Sequence, residues 1–459
     1  MTRNAGTIPA RMPPRKPRQE APQLRAAAPR LRPALKYPKL PLVKILAIGV
    51  PVLAVIYALS WASMPVAALV YALVYMAFAS ANPKLALVAV FASAPFIQDL
   101  DGGGPFRMSI GEINLALTVP VCILTCMGQN RPIRMGPPAV PIFLYLGLCL
   151  VSSLLHWDSE ALTAYLQMTV YLVGAVLVFA SFVRDPLDMH LCLDAAVIVG
   201  TVLAICALAT DFGFPAMNKN AWGAITSTLV VIAMELWFAT PSRSRRRLLM
   251  LAVLLLVTVL FLSLSRGSWL GALVGVSTVL LLRRQFKTLV RLLLVVGPLL
   301  AVLWISLPQE QKEYALGFDA GRANIASRID TIATCKKLFF EHPLFGVGVS
   351  LRKEVDATNL VLITLAESGV FGLGLFLWMQ ATVLRMVWRT QKLLPRTHPL
   401  YTLLAAGAGM IACRMGHGLV DHYWSRGPIL EAWAGVGMIV AVAACVRRPV
   451  PVARRKKSI

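Results

Sequence analysis

Charge is scarce in this 459-residue chain: Asp, Glu, Lys and Arg make up 14% of it, against 58% apolar residues. Soluble domains carry about a quarter charged residues, so that shortage excludes an ordinary soluble architecture. No stretch between the apolar runs is long enough to restore one, because the largest gap, 308–356, holds 49 residues. Cysteine offers no framework either. Cys122, Cys126, Cys149, Cys192, Cys206, Cys413 and Cys445 lie in apolar runs and only Cys335 lies in that gap. Their spacing fits neither a disulfide scaffold nor a structural metal site. Cys122 and Cys126 share a helix face and read as small packing residues. Residues 1–39 lack the apolar centre of a signal peptide and, rich in Pro, Arg and Ala, read as a disordered basic tail. No internal repeat is evident, which argues against the usual build of a secondary transporter.

What the chain has instead is a succession of apolar runs, most of about 18–22 residues, each long enough to cross roughly 30 Å of hydrocarbon. Fourteen spans are expected, at 42–60, 63–80, 84–98, 109–128, 139–156, 162–182, 189–209, 221–239, 247–264, 267–282, 288–307, 370–390, 399–417 and 428–446. The third and tenth are short, which leaves twelve or thirteen as alternatives. The fold class is therefore all-α and polytopic, with about 12–14 transmembrane helices and one large loop containing a short amphipathic helix. Five regions follow: a tail at 1–39, transmembrane helices over 40–307, a loop and interfacial helix over 308–369, further transmembrane helices over 370–446, and a basic tail at 447–459.

The formal net charge of +24 sits mostly at the two ends. Eleven Lys and Arg fall within 1–44 against one acid, Glu20, and six fall within 447–459 with none. Both groups flank apolar runs, where anionic lipid accounts for them at about 1 kcal/mol per basic residue. No aromatic residues are interleaved as nucleic-acid binding would require, so no nucleic-acid partner is expected. The other basic clusters, Arg131 with Arg134, Arg243 to Arg247, Arg283 to Arg291 and Arg385 to Arg396, fall on one side under alternating crossings. By the positive-inside rule that side is cytoplasmic, with both termini. Loops around 99–108, 156–161, 210–220, 264–267, 308–356 and 418–427 are then external.

Several polar residues collect at that outer face. Arg266 is expected at the tip of the turn between two long apolar runs, and Arg328 in the first turn of a loop helix. That helix is read from the capping-box-like Ser327-Arg-Ile-Asp330 and ends at His342-Pro343, with Gly346-Val-Gly348 as a flexible exit. Each guanidinium is a permanently charged, planar fork suited to phosphate oxygens. A turn-tip charge and a solvated helix face are the alternatives. The segment 414–426 gathers Arg414, His417, Asp421, His422 and Arg426 with Tyr423 and Trp424. An interfacial aromatic belt explains the last three, whereas two histidines around an aspartate suit proton transfer.

Ionisable residues within spans are candidates by default. Glu112 and Glu431 fall in the outer turns of their spans. Asp194 and Glu235 fall toward the inner side, where structural pairing is expected. Glu367 is read as a base or as a partner for Arg266 or Arg414, with 357–368 an interfacial helix broken from 370–390 at Gly369 or Gly372. Lys219 and Asn220 open a span from outside, as ligands for sugar hydroxyls or phosphate or, for Asn220, as a helix cap. Asp99-Leu-Asp101 has the form of a metal-binding Asp-x-Asp, but a match of three residues is weak and the loop faces away from cytoplasmic nucleotide sugars.

Four stretches, in this order, give the chain a resemblance: Asn218-Lys-Asn-Ala221; Leu264-Ser-Arg-Gly267; Ser327-Arg-Ile-Asp330 followed by His342-Pro-Leu-Phe-Gly-Val-Gly348; and Thr358-Asn359 with Gly369 beyond. They resemble the O-antigen ligase and O-antigen polymerase family of envelope glycan enzymes, over about residues 215–375. The resemblance implies a multi-pass protein of the bacterial inner membrane whose site faces the periplasm. It implies an inverting, metal-independent glycosyltransferase that needs no cofactor. The donor is a glycan on undecaprenyl diphosphate, and the acceptor is a second glycan or lipid A-core. Membrane lipids, a flippase and a chain-length regulator are the implied partners. Arg266 and Arg328 match the arginines assigned to the diphosphate, while Lys219, Asn220, Thr358, Asn359, Arg414, His417 and Arg426 are expected to bind substrate. The family usually has His-Asn where this chain has Thr358-Asn359. Threonine is no base near neutral pH, so Asp421, His422, His417 or Glu367 is expected to take that role. The substitution puts polymerisation of O-antigen or exopolysaccharide ahead of ligation. A transporter and an inactive scaffolding relative are the readings of other classes.

Overall fold

Small residues, more than large ones, decide how this bundle packs. The computed structural model describes residues 51, 54, 55, 57–61, 63–97, 108–156, 159–214, 217–316, 323–351, 359–421 and 427–447. Every regular element among them is helical. The first four are α1 (Met64–Ala81), α2 (Pro83–Ser93), α3 (Ile110–Gly128) and α4 (Ala139–Leu155). The next, α5, runs as Ser159–Thr169, a π-helical turn Val170–Ala175, and Val176–Ser181. Then come α6 (His190–Ala209), α7 (Lys219–Ala239), α8 (Arg243–Leu262), α9 (Arg266–Arg283) and α10 (Phe286–Ser306). The remainder are α11 (Gln309–Leu316), α12 (Ala323–Glu341), α13 (Leu360–Gln391), α14 (Pro399–Gly418) and α15 (Gly427–Arg447).

Among the described residues, seven helices are long and apolar enough to cross a membrane: α1, α3, α5, α6, α7, α13 and α15. The chain is an all-α polytopic membrane protein. Of the other expected spans, 42–60 lies largely outside the described residues, while the rest are helical and several fall short for identifiable reasons. The third ends at Ser93 rather than 98, leaving 11 residues or about 16 Å. α8 opens on Arg243, Arg245, Arg246 and Arg247. The sequences of α9 and α14 are rich in Gly, Ala and Ser, giving up hydropathy for close approach. In lipid, where apolar surface alone does not drive helices together, such residues permit the van der Waals contact that does.

The most extensive packing joins α9 to α14, and α7 and α15 complete the centre. α7 is 89% buried over its span and α15 83%, against 17% for the peripheral α1. Gly267, Gly271 and Gly275 form a stripe at every fourth residue of α9. A Cβ at Gly271 would stand 2.8 Å from the Cys413 carbonyl oxygen, and one at Gly275 would stand 2.9 Å from that of Gly409. Only glycine lets these two backbones meet. At one end of the trio, the Arg283 guanidinium on α9 forms a buried ion pair with Glu235 on α7. It also donates to the Thr402 hydroxyl on α14 at 3.1 Å. Asp194 pairs with Arg245 at 2.5 Å, so Asp194 and Glu235 both have structural partners, as expected.

α13 breaks at Gly369 (φ 65°, ψ −167°), as the sequence implied. Gly346-Val-Gly348 was expected to be a flexible exit, but the segment 343–349 that contains it is a strap bonded into that break. Val347 N–H donates to the Ala366 carbonyl and Gly348 N–H to that of Glu367, both at 3.0 Å, and Val370 N–H donates to the Pro343 carbonyl at 2.9 Å. Gly346 (φ 68°) lies so close that a Cβ would meet the Glu367 carbonyl carbon at 2.3 Å. The strap also reaches α4, where Val349 N–H donates to the Ser153 hydroxyl at 3.3 Å. The glycines that suggested freedom are there for backbone contact.

Candidate functional site

At the end of the trio opposite the Glu235–Arg283 pair, four chain segments meet. The turn from α8 to α9 is made by Ser263-Leu-Ser265, with Leu264 in the left-handed region at φ 53°. Ser263 Oγ accepts from the Ser265 N–H at 3.3 Å, and the Ser265 and Ser268 hydroxyls bond at 2.8 Å. The Trp269 indole N–H donates to the Leu260 carbonyl at 2.9 Å and its ring stacks on Phe261 at 5.4 Å. Leu264, rather than Arg266, is therefore the turn tip. Arg266 is the first residue of α9 and is half-buried. A cation at a helix N-terminus opposes the macrodipole, while the first-turn amides there favour an anion.

Gly267 brings the C-terminal end of α14 against this first turn. A Cβ at Gly267 would stand 2.8 Å from His417 Cδ2, 3.2 Å from His417 Nε2 and 3.5 Å from Asp421 Cβ. Asp421 follows α14, its N–H donating to the His417 carbonyl at 3.0 Å. Arg328 approaches from α12, donating from Nη1 to the Val420 carbonyl at 3.2 Å and from Nη2 to Asp421 Oδ2 at 3.4 Å. Asp421 is buried and Arg328 only partly so. One cluster thus holds Arg328, Asp421, His417 and the turn begun by Arg266. α12 starts at Ala323, one turn earlier than the Ser327 motif implied, which puts Arg328 in its second turn.

Arg414 lies deeper, fully buried between α14 and α7. Its Nη2 donates to the Ala224 carbonyl at 2.8 Å and the Ser227 hydroxyl at 2.5 Å, and Nη1 lies 3.3 Å from His417 Nδ1. Glu431 on α15 is buried, feels the charge of Arg414, and has no hydrogen-bond partner for either oxygen among the described residues. The start of α7 joins the same end, since Gly223 abuts the Ser263 and Ser268 hydroxyls. Its cap is Asn218, whose side chain accepts from the Ala221 N–H at 2.7 Å. Asn220, expected as a cap, occupies the second helical position, and Lys219 beside it is exposed.

Other expected residues have different placements. Asn359 caps α13, accepting from the Leu362 N–H at 2.8 Å. Glu367 is buried beside the strap, its backbone carbonyl also accepting from the Ser152 hydroxyl at 3.1 Å. Glu112 forms a capping box with Ser109 on α3. Thr358, His422 and Arg426 lie outside the described residues, as do Asp99 and Asp101. Sequence reasoning missed the Gly267, Gly271, Gly275 stripe. A small residue every fourth position is the standard signal for close membrane-helix packing, and it would have shown that the helix begun by Arg266 packs closely on a neighbour.

No curated protein matches the chain. The family model described as O-antigen ligase matches residues 251–377, a segment that includes Arg266, Arg328, Asn359 and Glu367 but ends before Arg414, His417 and Asp421. Over that segment the chain is similar to the O-antigen ligase family.

Proposed function

We propose that this chain is an inverting glycosyltransferase that joins lipid-linked repeat units into polysaccharide at the outer face of the membrane. The observation that carries it is the meeting of Arg328 and Asp421 beside the first turn of α9. In the reaction, the acceptor hydroxyl passes its proton to the Asp421 carboxylate as its oxygen attacks the anomeric carbon. The bond from that carbon to the diphosphate oxygen breaks, and its electron pair leaves with the lipid diphosphate. Arg266 and Arg328 bind the diphosphate and stabilise the charge that develops on it. Removing one such donor typically lowers rate by about 10²–10³. Arg328 also orients Asp421 through Oδ2, so one guanidinium faces both the base and the leaving group. Lys219 at the mouth of α7 and Asn359 at the start of α13 are assigned to the glycan.

The description of the matching family favours a second reading, transfer of finished glycan onto lipid A-core. Thr358, in place of the usual histidine, favours polymerisation. Envelope glycans of a deletion strain separate the two: single repeat units mark a polymerase, unlinked long chains a ligase. Reconstitution with purified lipid-linked repeat unit, without nucleotide or metal, tests the activity itself. Longer glycans on the lipid are expected, and unchanged repeat units would refute polymerisation.

A further inference from the structure

Two groups border the space above Gly267, Asp421 and the edge of the His417 ring, and Arg266 precedes that glycine in sequence. What His417 can do there is fixed from behind. Its Nδ1 lies 3.3 Å from Nη1 of Arg414. A guanidinium has donors and no acceptor, so Nδ1 must accept and the ring proton must sit on Nε2. Arg414 has no freedom to yield, because Nη2 is bonded to the Ala224 carbonyl and the Ser227 hydroxyl on α7. The buried side chain of Glu431 on α15 lies near enough to feel its charge. The other ring nitrogen, Nε2, then turns toward the first turn of α9, and only the missing Cβ at Gly267 admits the ring edge so close.

We infer that Arg414 is a positioning residue that holds His417 as the Nε2–H tautomer, so that His417 donates a hydrogen bond to the lipid diphosphate rather than taking the acceptor's proton. This assignment rests on the diphosphate reading above and adds a third donor to Arg266 and Arg328. It also removes His417 from the set of bases: one ring nitrogen is occupied by a cation and the other already carries the proton. His417 is thereby complementary to an anion.

Two measurements on the full chain in nanodiscs test it. The first is ¹⁵N NMR of histidine-labelled protein without substrate, with the His417 signals assigned by their loss in His417→Gln. An unprotonated Nδ1 and a protonated Nε2 are expected, and in the double variant Arg414→Met with Glu431→Gln, which removes the cation together with the acid beside it, that preference should relax. A proton on Nδ1 in the wild type, or an unaltered pattern in the double variant, would overturn the assignment. The second is binding of undecaprenyl diphosphate. His417→Ala should weaken it about ten- to a hundredfold, the usual cost of a hydrogen bond to a charged group. His417→Gln should recover most of that loss, since an amide both accepts from Arg414 and donates but is no base. Equal failure of the two variants would overturn the donor role. If Arg266→Ala leaves diphosphate binding intact while the NMR result holds, the diphosphate reading fails and the tautomer stands.

Discussion

Replacing Gly271 by valine asks whether the site depends on the contact between α9 and α14. The first atom of a side chain at 271 would stand 2.8 Å from the Cys413 carbonyl oxygen, 3.1 Å from His417 Cβ and 3.3 Å from His417 N. Unstrained contacts between such atoms lie at about 3.5–4.0 Å. The obstacles are mainly backbone and cannot rotate away, so the helices must part by about 0.5–1 Å. Overpacking of this kind costs about 1–3 kcal/mol, and a β-branched residue belongs at the upper end. Gly297 on α10 is the control, with nothing within 4 Å of its Cβ position. Valine and glycine differ little in helix propensity, by about 0.3 kcal/mol, so the pair isolates the steric effect. Unfolding in one bilayer mimetic should show Gly271→Val losing about 2–3 kcal/mol and Gly297→Val almost none. Because α14 carries His417 and leads directly into Asp421, while α9 carries Arg266, Gly271→Val should also lose about a hundredfold in turnover, the usual effect of a 1 Å misplacement. Equal stability and turnover in the two variants would refute the reasoning.

The remaining expectations concern the supports of the site. Glu235→Ala should destabilise the chain by about 3–5 kcal/mol by leaving Arg283 buried without its anion, and Glu235→Leu with Arg283→Met should restore most of that in a denaturation series. Gly346→Ala should loosen the strap, through a left-handed backbone costing about 1–2 kcal/mol and a clash with Glu367, read as faster amide exchange over 343–349. Asn218→Ala should cost about 1 kcal/mol by uncapping α7, whereas Asn220→Ala should cost less in the same assay.

Length and hydropathy made the helices legible in the sequence, because each crossing must satisfy its backbone internally over a fixed thickness. The break at Gly369 was legible for a related reason: 34 residues from 357 to 390 are too long for one crossing. The residues of the candidate site were visible too, as polar groups at one set of helix ends. Their grouping was not. Arg328 and Asp421 are separated by 93 positions, and their meeting follows from how α12 docks on the end of α14, which local pattern does not encode. Arg414 was legible as a substrate-binding candidate near a helix end, but its burial was not, because that depends on α7 offering Ala224 and Ser227 at the right height. The strap at Gly346 and Gly348 shows a further limit. Glycine signals an unusual backbone, but sequence alone does not say whether the purpose is mobility or close contact.

The account stands on Arg266 and Arg328 serving one anion. Binding of undecaprenyl diphosphate and of undecaprenyl monophosphate to the full chain in nanodiscs tests that directly, in the wild type, in Arg266→Ala and Arg328→Ala, and in the double variant. Each single variant should lose about ten- to a hundredfold for the diphosphate, the cost of one charge-assisted contact, with a smaller loss for the monophosphate. The double variant should bind both lipids alike. Undiminished diphosphate affinity in either single variant would contradict the account.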